Sequence, residues 1–431
     1  MGLRTVAQIR DPVHGYINIT EVERALIDSP PVQRLRRVHQ LAGAYLVYPG
    51  AVHTRFEHVI GAMNVAGAIA QSVASRTDLG DDEIQEVRLA ALLHDVGHGP
   101  FSHLFEEVLT AKTAINHEDM TRLVILKTGL KDILEAHGFS SGPMSEFAVG
   151  NRQRRPPFMN EIISGGLSAD IMDYLPRDSY FTGVEYGRVD TRRIIDSLAV
   201  VDGHLGLEKA ALGAYEAMLL ARYEMFTNVY FHRTVRAAQL MLAYSMRLAD
   251  DTLHLTDVSN IEDFLELTDE AVIQRLIALR GGSRSTRHAR GLALDFRDRR
   301  LVKCVYERLM QRKDRVVEQL FEKDRVRNQV LMDISKKAGV DHMHVYLDVP
   351  TVPSVPYTPS REMPSSIAVV DRSGRRTSHR TVPIDDLPLV GSIAGFMNIL
   401  RIYTRPEDRD PVYKATSELL GRDESLVRLP E

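Results

Sequence analysis

The chain contains a single cysteine, Cys304, so no internal disulfide can form. That usage is expected of a protein kept in a reducing cytoplasm. No run of 18 or more apolar residues occurs, which argues against a membrane-spanning helix and a membrane partner. The opening residues, Met1-Gly2-Leu3-Arg4, carry no apolar signal core. A dominant charge sign is missing too: 54 Lys and Arg stand against 58 Asp and Glu, a formal net charge of −4. No global field would therefore recruit nucleic acid or a membrane surface. There is no repeat of fixed period. What remains is an ordinary globular composition, 44% hydrophobic and 26% charged, over 431 residues. That length can bury a large core in one large domain or two smaller ones.

Helical periodicity dominates to about position 335. Phe56, Val59, Ile60, Met63, Ile69 and Val73 form one helical stripe over 55–75. Asp81-Asp82-Glu83 give an acidic start to a helix over 82–95, which Gly97 and Gly99 stop. Pro30 and Pro31 mark another helix start. Long helices are expected over 207–249 and, charged and half exposed, over 300–337. Residues 140–157, 281–300 and 349–383, rich in Arg, Gly, Ser or Pro, read as irregular. His344–Val349 and Ile367–Val370 read as strands. The expected fold is mainly α: a helical core over 1–335 and a smaller mixed α/β region over 336–431.

The most informative stretch is His94-Asp95-Val96-Gly97-His98-Gly99-Pro100-Phe101-Ser102-His103, where an apolar helix ends on an adjacent His-Asp pair. Imidazole is a common metal ligand, and a neighbouring Asp adds anionic oxygens. Upstream, Arg55 and His58 are three residues apart and share a helix face. Downstream, Asp170, Tyr174 and Arg177 or Asp178 share another. His58, His94, Asp95 and Asp170 would make a mixed imidazole and carboxylate set suited to Fe, Mn, Zn, Co or Ni, with positions open to water and substrate. Each histidine taken singly reads as a capping or surface residue; His58, His94, His98 and His103 in two short motifs, with Asp95 and Arg55, do not.

In chain order, Asp11-Pro12-Val13-His14-Gly15, Gln33-Arg34-Leu35-Arg36, Arg55-Phe56-Glu57-His58, the His94–His103 stretch, Asp173-Tyr174 and Arg177-Asp178 resemble the HD-domain deoxynucleoside triphosphate triphosphohydrolases. The branch is the one containing the mammalian dNTP-depleting enzyme, and the resemblance runs over about residues 8–250. It implies that the helical core is an HD phosphohydrolase domain with a metal on His58, His94, Asp95 and Asp170. It implies cleavage of a dNTP into deoxynucleoside and inorganic triphosphate, by water activated at the metal attacking the α-phosphorus. Magnesium would accompany the substrate phosphates.

The resemblance also assigns further residues. Arg55 contacts phosphate, His103 is the general acid, and His98 and His117 are the other active-site histidines, with Glu106 and Glu118 orienting them. Arg222, Tyr230 and Arg233 contact phosphate and sugar, Tyr174 and Asp178 hold the deoxyribose, and Gln40 and Leu41 lie near base and sugar. The aromatic positions of the 207–249 stretch read equally as core. Asp28, Gln33 and Arg36 match a regulatory guanine-nucleotide site, but Ala7 and Arg10 depart from it, which implies weak or absent activation.

Three departures bear on the substrate. Ile171 replaces a basic residue beside Asp170, Phe226 replaces a histidine, and Pro176 interrupts a helix it is expected to kink. Arg152, Arg154 or Arg155 could restore charge. A homo-oligomer is implied. Another HD nucleotide phosphohydrolase, or a nucleotide-sensing HD protein with weak single-stranded nucleic acid binding through the Arg-rich loops and no turnover, stays open beside the triphosphohydrolase. A cyclic-dinucleotide phosphodiesterase lacks its Gly-Tyr-Pro motif, and Val96-Gly97-His98 replaces the acidic pair of an alarmone hydrolase.

Overall fold

The computed structural model describes residues 2–153, 155–310, 324–349, 366–371, 378–383, 386–389 and 398–421. The fold is mainly α with small sheets. A hairpin of β1 (Thr5–Asp11) and β2 (Gly15–Thr20) leads into α1 (Glu21–Ile27) and α2 (Pro30–Arg34). Two long helices follow, α3 (Arg55–Ala74) and α4 (Asp81–Leu93), then α5 (His103–Thr113) and α6 (His117–Lys127). Short helices α7 (Leu130–Ala136), α8 (Ser141–Ala148) and α9 (Pro157–Ile163) precede α10 (Ala169–Thr182) and α11 (Thr191–Asp196). Strands β3 (Leu198–Val201) and β4 (His204–Glu208) come next. The helical part closes with α12 (Leu212–Met225), α13 (Arg233–Leu253), α14 (Ile261–Leu265), α15 (Asp269–Ala278) and α16 (Arg284–Arg297).

Local chemistry sets the helix starts that matter. The Glu57 carboxylate reaches back to the Thr54 N–H (2.9 Å) to begin α3, and Glu83 does the same at Gly80 (3.0 Å) for α4. Burial of Val59, Ile60, Met63, Ile69 and Val73 confirms the α3 stripe, and α4 ends with His94 as its C-cap. Between α3 and α10 stands Gly61. A Cβ there would sit 1.9 Å from Asp173 Oδ1 and 2.3 Å from an Arg177 nitrogen, so only glycine lets the two helices approach this closely.

Several expectations are corrected. The 207–249 stretch is not one helix: β4 occupies its start, and a π turn over Phe226–Tyr230 separates α12 from α13, whose N-terminus is capped by the His232 imidazole. The expected helix over 300–337 begins as a strand, β5 (Lys303–Met310), and residues 311–323 lie outside the described residues. Its last part is helical, α17 (Asp324–Ala338). The charge in this stretch is not all solvated: Glu307 is buried in the strand against Arg233 and Arg401. Residues 284–297 form α16 rather than a loop, because Ala289, Leu292, Ala293 and Phe296 bury one stripe beneath the arginines. Within 140–157, residues 141–148 are helical. Pro176 does not break α10, whose Asp173–Arg177 ion pair (2.8 Å) spans it.

The expected strands are present as β6 (Val345–Asp348) and β7 (Ser366–Asp371). Residues 350–365 and 372–377 of the third irregular stretch lie outside the described residues. Strand β5 pairs antiparallel with β9 (Asn398–Thr404), which also pairs with β6, and α18 (Arg409–Leu420) follows. The other sheet runs β3-β4-β7-β8, with β8 at Ser378–Pro383 and β4 parallel to β7. Position 335 lies inside α17. Among the described residues, no helix is long and apolar enough to cross a membrane.

Candidate active site

The His-Asp helix end, the turn after it and the first turns of α3 and α10 converge on one cavity of about 360 Å³. The turn is held in a costly shape. Gly97 and Gly99 are obligatory, since a Cβ at Gly97 would lie 2.1 Å from the Thr121 nitrogen and one at Gly99 2.2 Å from the Phe105 ring. Phe101 and Ser102 both adopt φ of 58°, in the left-handed region. Such residues cost about 1–3 kcal/mol each and persist only where the surroundings over-determine them. Here the Phe101 N–H donates to Asp269 (2.7 Å), and the Ser102 hydroxyl donates to the His39 carbonyl (2.8 Å) and accepts from Arg55 (2.7 Å).

Four of the expected ligands face one another. His58 Nε2 lies 3.3 Å from His94 Nε2, 3.6 Å from Asp95 Oδ2 and 3.1 Å from Asp170 Oδ1. His94 Nε2 lies 3.3 Å from Asp95 and 3.8 Å from Asp170. Both imidazoles are pinned from behind: His58 Nδ1 donates to Asp173 (2.8 Å) and His94 Nδ1 donates to the Ala91 carbonyl (2.7 Å). That fixes their tautomers and turns both Nε2 lone pairs into the same space. Two lone pairs 3.3 Å apart repel unless positive charge stands between them. The acidic shell draws such charge. Burial alone would lower the His58 pKa, but its bonds to Asp170 and Asp173 push it up to about 10. Burial likewise opposes ionisation of Asp170, yet the bonds from His58 and His94 hold its carboxyl well below the usual range. Two imidazole nitrogens and two carboxylates of this kind fit a divalent transition metal.

Asp95 is shared. Its carboxylate also pairs with the buried Arg55, and its Oδ1 is 3.4 Å from His98 Nε2. His98 opens a second cluster with His103 and His117, one ring nitrogen of each lying within 4.8 Å of the others. Glu106 accepts from both His117 Nδ1 (2.7 Å) and His103 Nδ1 (3.1 Å). Burial, then the charges of Arg55 and His117, keep the His98 imidazole neutral at ordinary pH. His103 is the accessible member, its side chain 59% exposed at the start of α5.

Around these clusters the cavity is lined by Gln40, Leu41, Glu118, Tyr174, Asp178, Arg222 and Tyr230, as the resemblance anticipates. Glu106 supports from behind. Arg222 forms no ion pair among the described residues; its guanidinium sits 5.4 Å from the Phe226 ring, and its Nε is buried without a hydrogen-bond partner. Gln40 Oε1 is likewise buried and unpartnered. Asp178 accepts from the Tyr230 hydroxyl (2.6 Å) and His53 (2.7 Å). Ile171 and Phe226 present apolar atoms to the cavity.

Other expected residues lie elsewhere. Arg233 does not line the cavity, because Glu307 holds its guanidinium at 2.9 Å. Asp28, Gln33 and Arg36 sit on the α1–α2 surface away from it, with Arg36 bonded to Gln33 (2.9 Å) and stacked 3.5 Å from the Phe56 ring. Arg152 pairs with Glu86 (2.8 Å) and Arg155 with Glu83 and Glu86, so neither restores charge in the cavity. Arg154 lies outside the described residues.

The sequence reading gave no role to the residues that hold this arrangement. Asp173, fully buried, accepts from His58, His14 and Arg177; burial opposes its ionisation, but Arg177 and these bonds keep it charged. Asp11 anchors Arg177 in turn (2.8 Å), which accounts for the Asp11–Gly15 motif. Arg34 donates to the His98 carbonyl (2.8 Å). Asp269 joins the His39 loop to Phe101. Asp11, His14, Arg34 and Asp173 stand inside quoted motifs, and His53 directly precedes the Arg55–His58 motif, but only tertiary packing assigns them partners; Asp269 carried no signal.

Comparison with known proteins agrees with this geometry. The HD domain family matches residues 55–178 and the HD associated region matches residues 189–379. An uncharacterized protein, YwfO of Bacillus subtilis, is 37% identical over 238 residues, covering 54% of this chain and 53% of that one. The deoxynucleoside triphosphate triphosphohydrolase SAMHD1 of Gallus gallus is 29% identical over 325 residues, covering 64% and 53%. The chain thus spans about half the length of the curated relatives it matches. The crystal structure of a hypothetical protein from Aquifex aeolicus is similar at 29% identity with a TM-score of 0.75, covering 95% of this chain and 99% of that chain. The His94-Asp95 pair thus lies inside the stretch that matches the HD domain, and the stretch that matches the HD associated region follows it.

Proposed function

We propose that this protein hydrolyses deoxynucleoside triphosphates to deoxynucleoside and inorganic triphosphate, at a divalent metal held by His58, His94, Asp95 and Asp170. The observation that carries the reading is the convergence of two imidazole Nε2 atoms and two carboxylates at the wall of a cavity that also holds the unpaired Arg222 cation. When bound, the metal supplies Lewis acidity toward phosphate oxygen and attacking water. Arg222, and Arg55 tethered by Asp95, offset charge on the phosphates. His103, reachable from solvent and backed by Glu106, gives a proton to the departing 5′ oxygen; His98 and His117 line the path between it and Asp95. Tyr174 and the Asp178–Tyr230 pair pack the sugar, and the free Gln40 carbonyl oxygen accepts from base or sugar. SAMHD1 relatives support the nucleotide substrate.

A second reading rests on Ile171 and Phe226: with apolar atoms at both places, a nucleotide bearing fewer phosphates fits as another HD phosphohydrolase would take it. One assay separates the two. Each dNTP is incubated with the metal-loaded protein, and inorganic triphosphate is resolved from pyrophosphate and phosphate. Triphosphate as sole phosphate product is expected; pyrophosphate or phosphate would replace this reading with the second. A cytoplasmic homo-oligomer, with magnesium on the substrate phosphates and little response to guanine nucleotides, completes the proposal.

A further inference from the structure

His98, His103 and His117 have the makings of a site of their own. One nitrogen from each lies within 4.8 Å of the others. Glu106 takes the Nδ1 hydrogens of both His103 and His117, which leaves the Nε2 lone pair of each free. His98 is almost wholly buried, and its Nδ1 has no hydrogen-bond partner. For His103 and His117 the arrangement repeats the logic of the His58–His94 pair: an oxygen acceptor behind each Nδ1, lone pairs in front. The positive charge of Arg55 is answered by Asp95, while Glu106 and Glu118 add negative charge nearby.

We infer that the His98–His103–His117 triad is a second metal site, selective for a borderline divalent cation such as zinc, and that filling it inhibits the enzyme. The inference rests on the proposed role of His103. Three imidazole nitrogens suit zinc, cobalt, nickel or copper and disfavour magnesium or calcium, which prefer oxygen. The His98 and His117 rings are stacked (4.2 Å between centroids, 11° between planes), and His103 stands nearly perpendicular to both, at 88° and 85°. Binding therefore opens the stacked pair at the edge facing His103. Once the His103 lone pair is committed to the cation, it no longer carries the proton for the leaving oxygen.

Zinc alone is the probe. The full chain is stripped with chelator, dialysed against zinc, and its bound zinc counted by elemental analysis. The wild type is expected to hold two ions per chain. His58→Ala should hold one, the His103→Ala/His117→Ala double variant should hold one, and their combination none. His103 is exposed and begins a helix, so its single variant His103→Ala keeps the fold, and weakened zinc binding in that variant alone sustains the inference. As the second ion binds, turnover should fall by about a hundredfold or more, the contribution of a general acid. A wild type that itself holds only one zinc, unchanged by loss of His103 and His117, would overturn the inference. Two ions with undiminished turnover would overturn its inhibitory part. One ion lost with the triad but retained in His58→Ala would instead sink the first site and leave this one standing.

Discussion

The two histidine clusters use the same side chains to different ends. At His58 and His94 both rings are buried or nearly so, both Nδ1 hydrogens are committed, and three carboxylates stand within reach. At His98, His103 and His117 a single carboxylate serves two rings, and one ring faces solvent. Burying carboxylates around imidazoles is costly without a cation to balance them, so the first cluster is built to hold. The second leaves the His103 ring accessible, as the proposed proton transfer there requires. Asp95 belongs to both and keeps them in register.

The largest effect should come from breaking that shared residue. Asp95→Ala is expected to abolish bound metal and turnover. It should also cost stability, about 3–5 kcal/mol, because the buried Arg55 loses its partner. Elemental analysis and thermal melting check both parts; stoichiometric metal in this variant would show the ligand assignment wrong. His103→Ala sharpens the comparison from the other side. Turnover should drop by about a hundred- to ten-thousand-fold, with metal at the first cluster retained and stability within about 0.5 kcal/mol, as for an exposed residue. Near-normal turnover on a nucleotide with a poor leaving group would remove His103 from the role of acid.

A smaller effect concerns the scaffold that separates the clusters. Asp269→Ala orphans the N–H groups of Phe101 and His39, at about 1–3 kcal/mol for each buried donor. The same carboxylate raises the His39 pKa through its hydrogen bond. Because the folded value lies above the unfolded one, this stabilisation is complete below about pH 6.5. It fades as pH rises through the raised folded value. The stability difference between wild type and His39→Gln, followed from pH 5 to 9, should shrink upward; a difference that grows with pH would refute the linkage.

How much of this was legible in the sequence depends on distance along the chain. Helix α3, helix α4 and the metal-type cluster could be read because periodicity and ligand spacing are local. Residues that act through others could not. Asp173 meets His14 across 159 positions, and Asp269 meets Phe101 across 168. Arginine-rich composition concealed α16, whose buried stripe of Ala289, Leu292, Ala293 and Phe296 decides its structure. Arg233 followed the resemblance into the site, but Glu307, from a strand expected to be helical, claims it.

The central claim is that water is delivered to the α-phosphorus beside the first cluster while the second protonates the 5′ oxygen. Hydrolysis of a dNTP in oxygen-18 water, with both products examined by mass spectrometry, tests it most directly. The account predicts one labelled oxygen in inorganic triphosphate and none in the deoxynucleoside. Label in the deoxynucleoside, or its appearance in pyrophosphate or phosphate with a nucleotide left behind, would contradict it.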